Sequence, residues 1–148
     1  MTKSTKSTSA DVVINLDFFT TFVDNNVLAA AINVLQALDL EVAVTGFVSS
    51  SKFDHVKGNR AKFAKGVAAQ KRLVSNLAKL GKPVIGLDPS IVSLYGNEYL
   101  KVDSEFPRDV VTAADRYLLQ FASRFSACLL YTSPSPRDRT RSRMPSSA

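Results

Sequence analysis

Short runs of β-branched and other apolar residues alternate with helix-length segments in this chain of 148 residues, and this alternation is what most constrains its fold. The runs at 12–16, 41–47 and 83–87 are five to seven residues long, as buried strands commonly are. The segments between them are long enough to form the helical crossovers that join parallel strands. The sequence therefore predicts an α/β fold, a parallel sheet with helices packed on it, and the sheet is incomplete if the chain is truncated.

Two helices are predicted from apolar residues at helical spacing. The first begins after Asp24, a suitable N-cap, and its apolar stripe consists of Leu28, Ile32, Leu35 and Leu38. The second runs from about Arg60 to Leu80, and its stripe consists of Phe63, Val67, Val74 and Leu77. Gly81 and Pro83 are typical of a helix end, so the third strand is expected to follow directly.

The remaining connections are less clearly patterned. Residues 48–59 form a loop of about a dozen residues, which is long enough to suggest a functional role. Residues 101–111 form a connection with room for a short strand. Thr112 is placed to cap a last helix over 112–125.

The net charge of +6 lies mainly at the two ends of the sequence. Residues 1–10 carry +2 and residues 129–148 carry +3, so the residues between them are nearly neutral. A nucleic-acid-binding domain clusters its positive charge on a folded face, so this distribution argues against a nucleic-acid partner. Residues 1–10 are predicted to be a disordered leader, and 11–127 to be one domain.

The last residues, 128–148, are rich in Ser, Pro and Arg and are predicted to be a disordered or artefactual basic tail. They resemble the translated adapter or vector sequence that ends truncated reading frames, and such sequence is excluded from fold reasoning. An RNA-binding arm is the alternative interpretation of the same charges. Strong salt dependence that disappears when the tail is deleted would distinguish the two.

The chain has one cysteine, Cys128, and one histidine, His55. One thiol cannot form an intramolecular disulfide or supply the several ligands of a thiolate metal site, so no metal site is predicted. The sequence shows no signal peptide, and no apolar run reaches the length of a membrane span. A cytoplasmic protein is therefore expected.

Polar residues follow each predicted strand at its carboxyl end, where open parallel sheets bind their ligands. Because these ends meet at one edge, the following residues are expected to share it: Asp17, His55, Lys57, Asp88 and Glu98.

Each of these residues also has a purely structural interpretation, which the sequence leaves open. Asp88 can cap a short helix that begins with Pro89. Glu98 can be an exposed or ion-paired carboxylate, and His55 and Lys57 can be solvated loop residues. No catalytic residue is therefore assigned.

Residues 17–42 and 55–99 resemble the cysteine-rich (CCG-type) region of FAD-linked iron–sulfur oxidoreductases, a group with D-lactate and D-2-hydroxyglutarate dehydrogenases and glycolate-oxidase iron–sulfur subunits. The resemblance covers roughly 11–120. Its most specific parts are Lys57-Gly58 and the string "PVIGLDPS…NEY" that ends at Tyr99. It adds Gly58, Pro89 and Tyr99 to the candidate edge or interface residues.

The resemblance implies a parent protein that oxidises a D-2-hydroxy acid through FAD and passes electrons to 4Fe-4S clusters. This region would be an accessory domain that packs against the FAD and iron–sulfur domains and is not catalytic alone. The parent would be cytoplasmic, with peripheral association at the inner membrane as an alternative. Whether the chain itself is an enzyme is left uncertain.

The sequence departs from the family pattern at the cysteines. Ile91 follows Ser90 where many members carry a cysteine, and the sequence has neither a Cys-Cys-Gly nor a ferredoxin-type cysteine run. It also has no G-x-G-x-x-G, so no cofactor is expected in this chain. The competing hypothesis is a standalone flavodoxin-like binding module. That hypothesis predicts a phosphate-binding loop after the first strand, where Thr20 and Thr21 occur without a glycine.

Overall fold

The structure, a computed structural model, describes residues 9–125 of the chain. The chain divides into two compact units, Met1–Leu118 and Leu119–Ala148. The predicted leader, 1–10, lies largely outside the described residues, and so does the predicted tail, 128–148. In the second unit the described residues form a 3₁₀ segment, Leu119–Phe125.

The first unit contains four strands and seven helices within its described residues. The strands are β1 (Val12–Asn15), β2 (Val42–Val44), β3 (Val84–Gly86) and β4 (Val111–Ala113). The helices are α1 (Phe18–Phe22), α2 (Asn25–Ala37), α3 (Lys52–Val56), α4 (Arg60–Ala78), α5 (Pro89–Gly96), α6 (Glu98–Val102) and α7 (Ala114–Leu118). A 3₁₀ turn, Arg108–Val110, precedes β4.

The four strands form one parallel sheet in the order β2-β1-β3-β4. Val13 on the central strand β1 lies opposite Ala43 on one side and Val84 on the other. The predicted α/β fold with a parallel sheet and packed helices is therefore confirmed.

Alternating side chains of the sheet build a core on each face. On one face Val12 and Ile14 pack with Leu35 of α2 and Ile85 of β3. On the other face Val13 belongs to a larger cluster with α4, α5 and α6. That cluster buries the predicted stripe of α4, which consists of Phe63, Val67, Val74 and Leu77. The sheet is thus covered by helices on both faces.

The predicted helix starts and ends are largely as expected. Asp24 caps α2 by accepting from the Asn26 amide at 3.0 Å. The helix α4 begins at Arg60 as predicted and ends at Ala78, two residues earlier than the predicted end. Gly81 then adopts a φ of +62°, the left-handed conformation that glycine tolerates best, and the chain enters β3.

Two predictions of connections were wrong. Residues 48–59 are not one long loop, because they contain α3. Thr112 does not cap a helix, because it lies in β4 opposite Ile85. The β-branched pair Val110-Val111 favours a strand, and Val111 is buried in the core beside β3. The last helix is therefore short and begins at Ala114.

Candidate functional site

A cleft of about 410 Å³ lies at the carboxyl edge of the sheet. In this strand order the chain leaves β1 toward β2, while β3 lies on the other side of β1, which makes the carboxyl ends of β1 and β3 a topological switch point. Crevices at such points are the usual ligand sites of open α/β sheets. The cleft is lined by Asp17, Phe18, Phe19, Val23, Ser49, Ser50, Ser51, Lys52, Phe53, Val56, Asp88 and Ile91.

Asp17 is buried at the start of α1, directly after β1. One of its carboxylate oxygens accepts from the Thr20 amide at 2.9 Å, and the other accepts from the Thr20 hydroxyl at 2.8 Å. Both oxygens are therefore engaged in holding the β1–α1 turn.

Asp88 lines the same cleft at the start of α5. Its carboxylate accepts from the Ser90 amide at 2.8 Å, and Pro89 occupies the first turn of the helix. The predicted helix cap is confirmed. Lys52 of α3 reaches across the cleft and donates to the Ser90 hydroxyl, which links the loop after β2 to the start of α5.

Four phenylalanine rings, two of which line the cleft, contact one another, and we name Phe18, Phe22, Phe47 and Phe53 the aromatic rim. The Phe22 and Phe47 ring centroids are 4.9 Å apart, those of Phe18 and Phe22 are 5.4 Å apart, and those of Phe18 and Phe53 are 5.9 Å apart. Phe22 is nevertheless 62% exposed and Phe53 67% exposed. The rim is therefore an ordered aromatic cluster that is largely open to solvent.

A buried polar network joins β1, α5, α4 and the segment that follows β2. The Asn15 amide donates to the Tyr95 hydroxyl at 3.1 Å, and that hydroxyl donates to the Gln70 side-chain oxygen at 3.3 Å. The Gln70 amide then donates to the Val48 carbonyl at 2.7 Å. Burial is the main cause that raises the pKa of Tyr95 to about 12, so the hydroxyl stays protonated at neutral pH.

Tyr99 holds a neighbouring part of the segment that follows β2. Its buried side chain donates to the Ser50 carbonyl at 2.6 Å, and burial raises its pKa. Together with the bond from Gln70 to Val48, this contact fixes the backbone of 48–50 against α4 and α6.

The candidate residues from the loop after β2 lie outside the lining of the cleft. The His55 ring is 4.6 Å from the Phe63 ring, and His55 Nε2 is 3.6 Å from a Glu98 carboxylate oxygen. Glu98 also accepts from Lys101 at 2.9 Å, and this hydrogen bond is the main cause that lowers its pKa.

The Lys57-Gly58 pair lies at the end of α3. The Lys57 amide donates to the Phe53 carbonyl at 3.0 Å, and Gly58 has a φ of +72°. The pair therefore supports a backbone turn between α3 and α4. Of the predicted constellation, the structure brings Asp17 together with Asp88, and His55 together with Glu98, in separate places.

Sequence reasoning missed the aromatic rim and the buried polar network. The string "FFTTF" over Phe18–Phe22 was an available signal, since it has three aromatic residues and no charge. The contributions of Phe47 and Phe53 could not be found in this way, because only the fold brings them beside α1.

Within residues 9–125, no three His, Cys, Asp or Glu side chains are grouped so that they could hold a metal ion. Iron–sulfur clusters require thiolates, and Cys128 lies outside the described range, so the described residues do not fit such a cluster. Over the same range, no helix combines the length and apolar character needed to cross a bilayer.

The chain is similar to a short part of several D-2-hydroxyglutarate dehydrogenases. It is 32% identical to that of Escherichia coli (strain K12) over 88 residues, which are 60% of this chain and 9% of the relative. It is 31% identical to the Haemophilus influenzae protein over 105 residues, 70% of this chain and 10% of the relative. The Pseudomonas putida protein is 32% identical over 91 residues, 62% of this chain and 9% of the relative.

The chain thus spans about a tenth of the length of the curated relatives that it matches. No protein-family model matches it, and the search of solved structures found no match. The predicted relation to D-2-hydroxy-acid dehydrogenases is therefore confirmed at the level of a partial similarity.

Proposed function

We propose that this chain acts as an accessory domain of a D-2-hydroxy-acid dehydrogenase and is not catalytic alone. The observation that carries the proposal is the 32% identity over 88 residues to the Escherichia coli D-2-hydroxyglutarate dehydrogenase. In this proposal the matched part is the CCG-type region that the sequence resembles. In the parent protein it packs beside the regions that hold FAD and the 4Fe-4S clusters.

The cleft supports a structural role better than a catalytic one. Its two carboxylates, Asp17 and Asp88, both cap helices and accept backbone amides. The second carboxylate oxygen of Asp17 also accepts a hydrogen bond from the Thr20 hydroxyl. A general base needs a free lone pair within reach of a substrate proton. Both oxygens of Asp17 are already engaged, and Oδ1 of Asp88 accepts from both the amide and the hydroxyl of Ser90. We infer that the described part of the chain positions and insulates a neighbouring redox centre. Orienting and shielding the cofactor is the usual role of the protein in cofactor enzymes.

The alternative of a standalone phosphate-binding module has weaker support. The strand order agrees with flavodoxin-like sheets. In the turn after β1, however, the Asp17 carboxylate takes up the Thr20 amide and places negative charge where a phosphate would lie. We therefore retain the accessory domain as the function. We place the parent in the cytoplasm, with peripheral attachment at the inner membrane as the alternative.

A graft tests this proposal. Residues 11–118 of this chain replace the matched part of the Escherichia coli enzyme, and oxidation of D-2-hydroxyglutarate is measured with an artificial electron acceptor. We expect the graft to retain activity within about tenfold of the parent, which corresponds to about 1.4 kcal/mol in the barrier. The same enzyme without the segment is expected to lose nearly all activity.

A graft that carries Val74→Asp is the matched control, because Val74 is fully buried in the core. It should behave like the deletion. A well-folded graft with normal flavin content and no more activity than the deletion would refute the accessory function.

A further inference from the structure

The aromatic rim exposes more contiguous apolar surface than a solvent-facing edge requires. Phe22 and Phe53 are about two-thirds exposed, and Val56, which lines the cleft together with Phe53, is 75% exposed. The helix α1 contributes no charged residue at all. Exposed aromatic clusters of this kind are typical of protein–protein contacts, where aromatic residues are enriched and charges are depleted.

The rim is held in a fixed shape without any partner. Its rings contact one another at centroid distances of 4.9 to 6.5 Å. Behind it, Gln70 and Tyr99 hold the Val48 and Ser50 carbonyls, and Lys52 bridges to Ser90. A surface that is already ordered loses little conformational entropy when it binds, so this arrangement favours docking.

The length of the relatives bears on the choice of a partner for the rim. About nine tenths of each relative lies outside the part that this chain matches. A surface in the same polypeptide is present at a high effective concentration, on the order of millimolar for short flexible linkers. A contact within one long chain therefore competes well against association of two copies.

We propose that the aromatic rim is the surface by which this domain docks onto the remaining part of a D-2-hydroxy-acid dehydrogenase, against an apolar patch there. The inference rests on the proposed function, and it adds the surface and its partner. Phe22 and Phe53 are the anchors, since they are the most exposed rings of the rim. The charged outer face of α4 takes no part in the contact.

Binding in trans tests the proposal. The full 148-residue chain is titrated against Escherichia coli D-2-hydroxyglutarate dehydrogenase from which the 88 matched residues have been removed. We expect saturable binding that weakens at least about tenfold in the double variant Phe22→Ser/Phe53→Ser, as for interface hot spots. The matched control, Leu80→Ser/Val102→Ser, removes two exposed apolar residues, one from the turn after α4 and one from α6, and should bind within about twofold of the wild type.

A photo-crosslinker keeps the proposal testable if the deleted enzyme does not fold. It is placed at position 22 or 80 of the graft in the complete enzyme. Position 22 should crosslink to residues outside the graft, and position 80 should not. Equal crosslinking from both positions, or none from position 22, would overturn the docking proposal.

The remaining outcomes are also decisive. Absence of binding by the wild-type chain, or equal weakening by both double variants, overturns docking at the rim. A rim-dependent dimer of the 148-residue chain in sedimentation experiments overturns it in favour of self-association. If the wild-type chain binds the deleted enzyme but does not restore its oxidation of D-2-hydroxyglutarate, docking is supported and the accessory function is refuted. If both double variants restore oxidation by the deleted enzyme to the same extent, only the docking proposal is refuted.

Discussion

The inward stripe of α4 and the aromatic rim are both built of large apolar side chains, yet the first is buried and the second is largely exposed. The stripe, with Phe63 and Val74 at its centre, packs on the sheet through Val13 and Val84. The rim, with Phe22 and Phe53, lies on helices of five residues at the carboxyl edge. Apolar composition alone therefore does not determine burial; the length and position of the helix do.

The charges around the two regions explain what each is adapted to. The helix α4 carries its cations away from the core stripe, at Arg60, Lys62, Lys65, Lys71 and Arg72. Such a face is adapted to water. The helix α1 has no charged residue, so its exposed side is adapted to another apolar surface. The same residue types thus stabilise the fold in one region and are available for a contact in the other.

The largest effect should come from placing one charge in each region. Val74→Asp buries a carboxylate without a partner in a fully covered position, and should cost at least about 4 kcal/mol of the free energy of unfolding. Phe22→Asp places the same charge at an exposed position, and should cost less than about 1 kcal/mol. Urea unfolding followed by far-UV circular dichroism measures both.

Similar losses of unfolding free energy in the two variants would contradict the difference in burial, because the rim would then be part of the stabilising core. A small loss for Val74→Asp would mean that the stripe is not packed as described.

A second, smaller effect should appear where the two regions meet. A Cβ added at Gly66 of α4 would lie 2.5 Å from Ser51 Cβ, so the loop beneath the rim rests directly on this glycine. Gly66→Ala should therefore destabilise the fold by about 1–3 kcal/mol, although alanine is the better helix former. Gly96→Ala in α5 is the matched control, because nothing lies near its added methyl group, and it should be neutral or stabilising.

Ser51→Gly should rescue Gly66→Ala. Ser51 has a φ of +52°, which glycine adopts without strain, and the substitution also removes the clashing side chain. A double-mutant cycle of unfolding free energies measures the coupling between the two sites. Simple additivity would show that the loop does not rest on α4.

Much of the fold followed from the sequence, because the elements with strong periodicity are also the ones that pack on each other. The stripe of α4 and the buried run of β1 both lie in the core as predicted. The strand β4 was located poorly, since its three residues give no readable period, and burial of Val111 beside β3 decides its structure.

The site was predicted only in outline. Parallel strand topology correctly placed Asp17 and Asp88 at one edge, because strand ends meet there. The grouping of His55 with Asp17 was wrong, since α3 directs His55 toward Phe63 and Glu98 and away from the cleft lining. The rim was missed because its rings come from three separate segments, which only the tertiary structure brings together.

Alkaline pH should lower the stability that the buried hydroxyls of Tyr95 and Tyr99 contribute to the fold. Burial raises the pKa of Tyr95 from 10.0 to about 12, and it raises that of Tyr99 as well. The unfolded state therefore loses these protons first, so the stability that the two hydroxyls contribute is complete below pH 10 and declines above it. Each tyrosine should lower the unfolding free energy by about 1.4 kcal/mol per pH unit between pH 10 and its folded pKa.

Tyr99→Phe provides the comparison for this pH dependence. It removes one of the two tyrosine titrations and should leave a shallower alkaline slope. The hydrogen bond to Asp103 raises the pKa of Lys71, and that contribution is the same in both proteins. At pH 7 it should cost about 1 kcal/mol, since the Ser50 carbonyl loses its donor. Unfolding free energies measured at several pH values from 8 to about 11.5 separate the two effects. Identical slopes would show that Tyr99 ionises as freely in the folded protein as in the unfolded chain.

The smallest effect should arise on the solvent-facing side of α4, at the pair of Lys71 and Asp103. The Lys71 ammonium lies 2.8 Å from the carboxylate, and its hydrogen bond is the main cause that lowers the pKa of Asp103. A lowered folded pKa means that the pair stabilises the fold above the unfolded pKa, and that this contribution is lost as the pH falls below about 4. Asp103→Asn should therefore lower the melting temperature slightly at pH 7 and by less at pH 3.

Salt should act on the same difference, because both side chains remain about 30% exposed and their attraction is screened. In about 1 M NaCl the melting temperatures of wild type and Asp103→Asn should converge, since the screening length is then only about 3 Å. A difference in melting temperature that is undiminished in high salt and at pH 3 would mean that Asp103 acts mainly through its bond to the Glu105 amide. In that case the ion pair with Lys71 would contribute little to the stability of the fold, and Asp103 would act by holding the turn after α6.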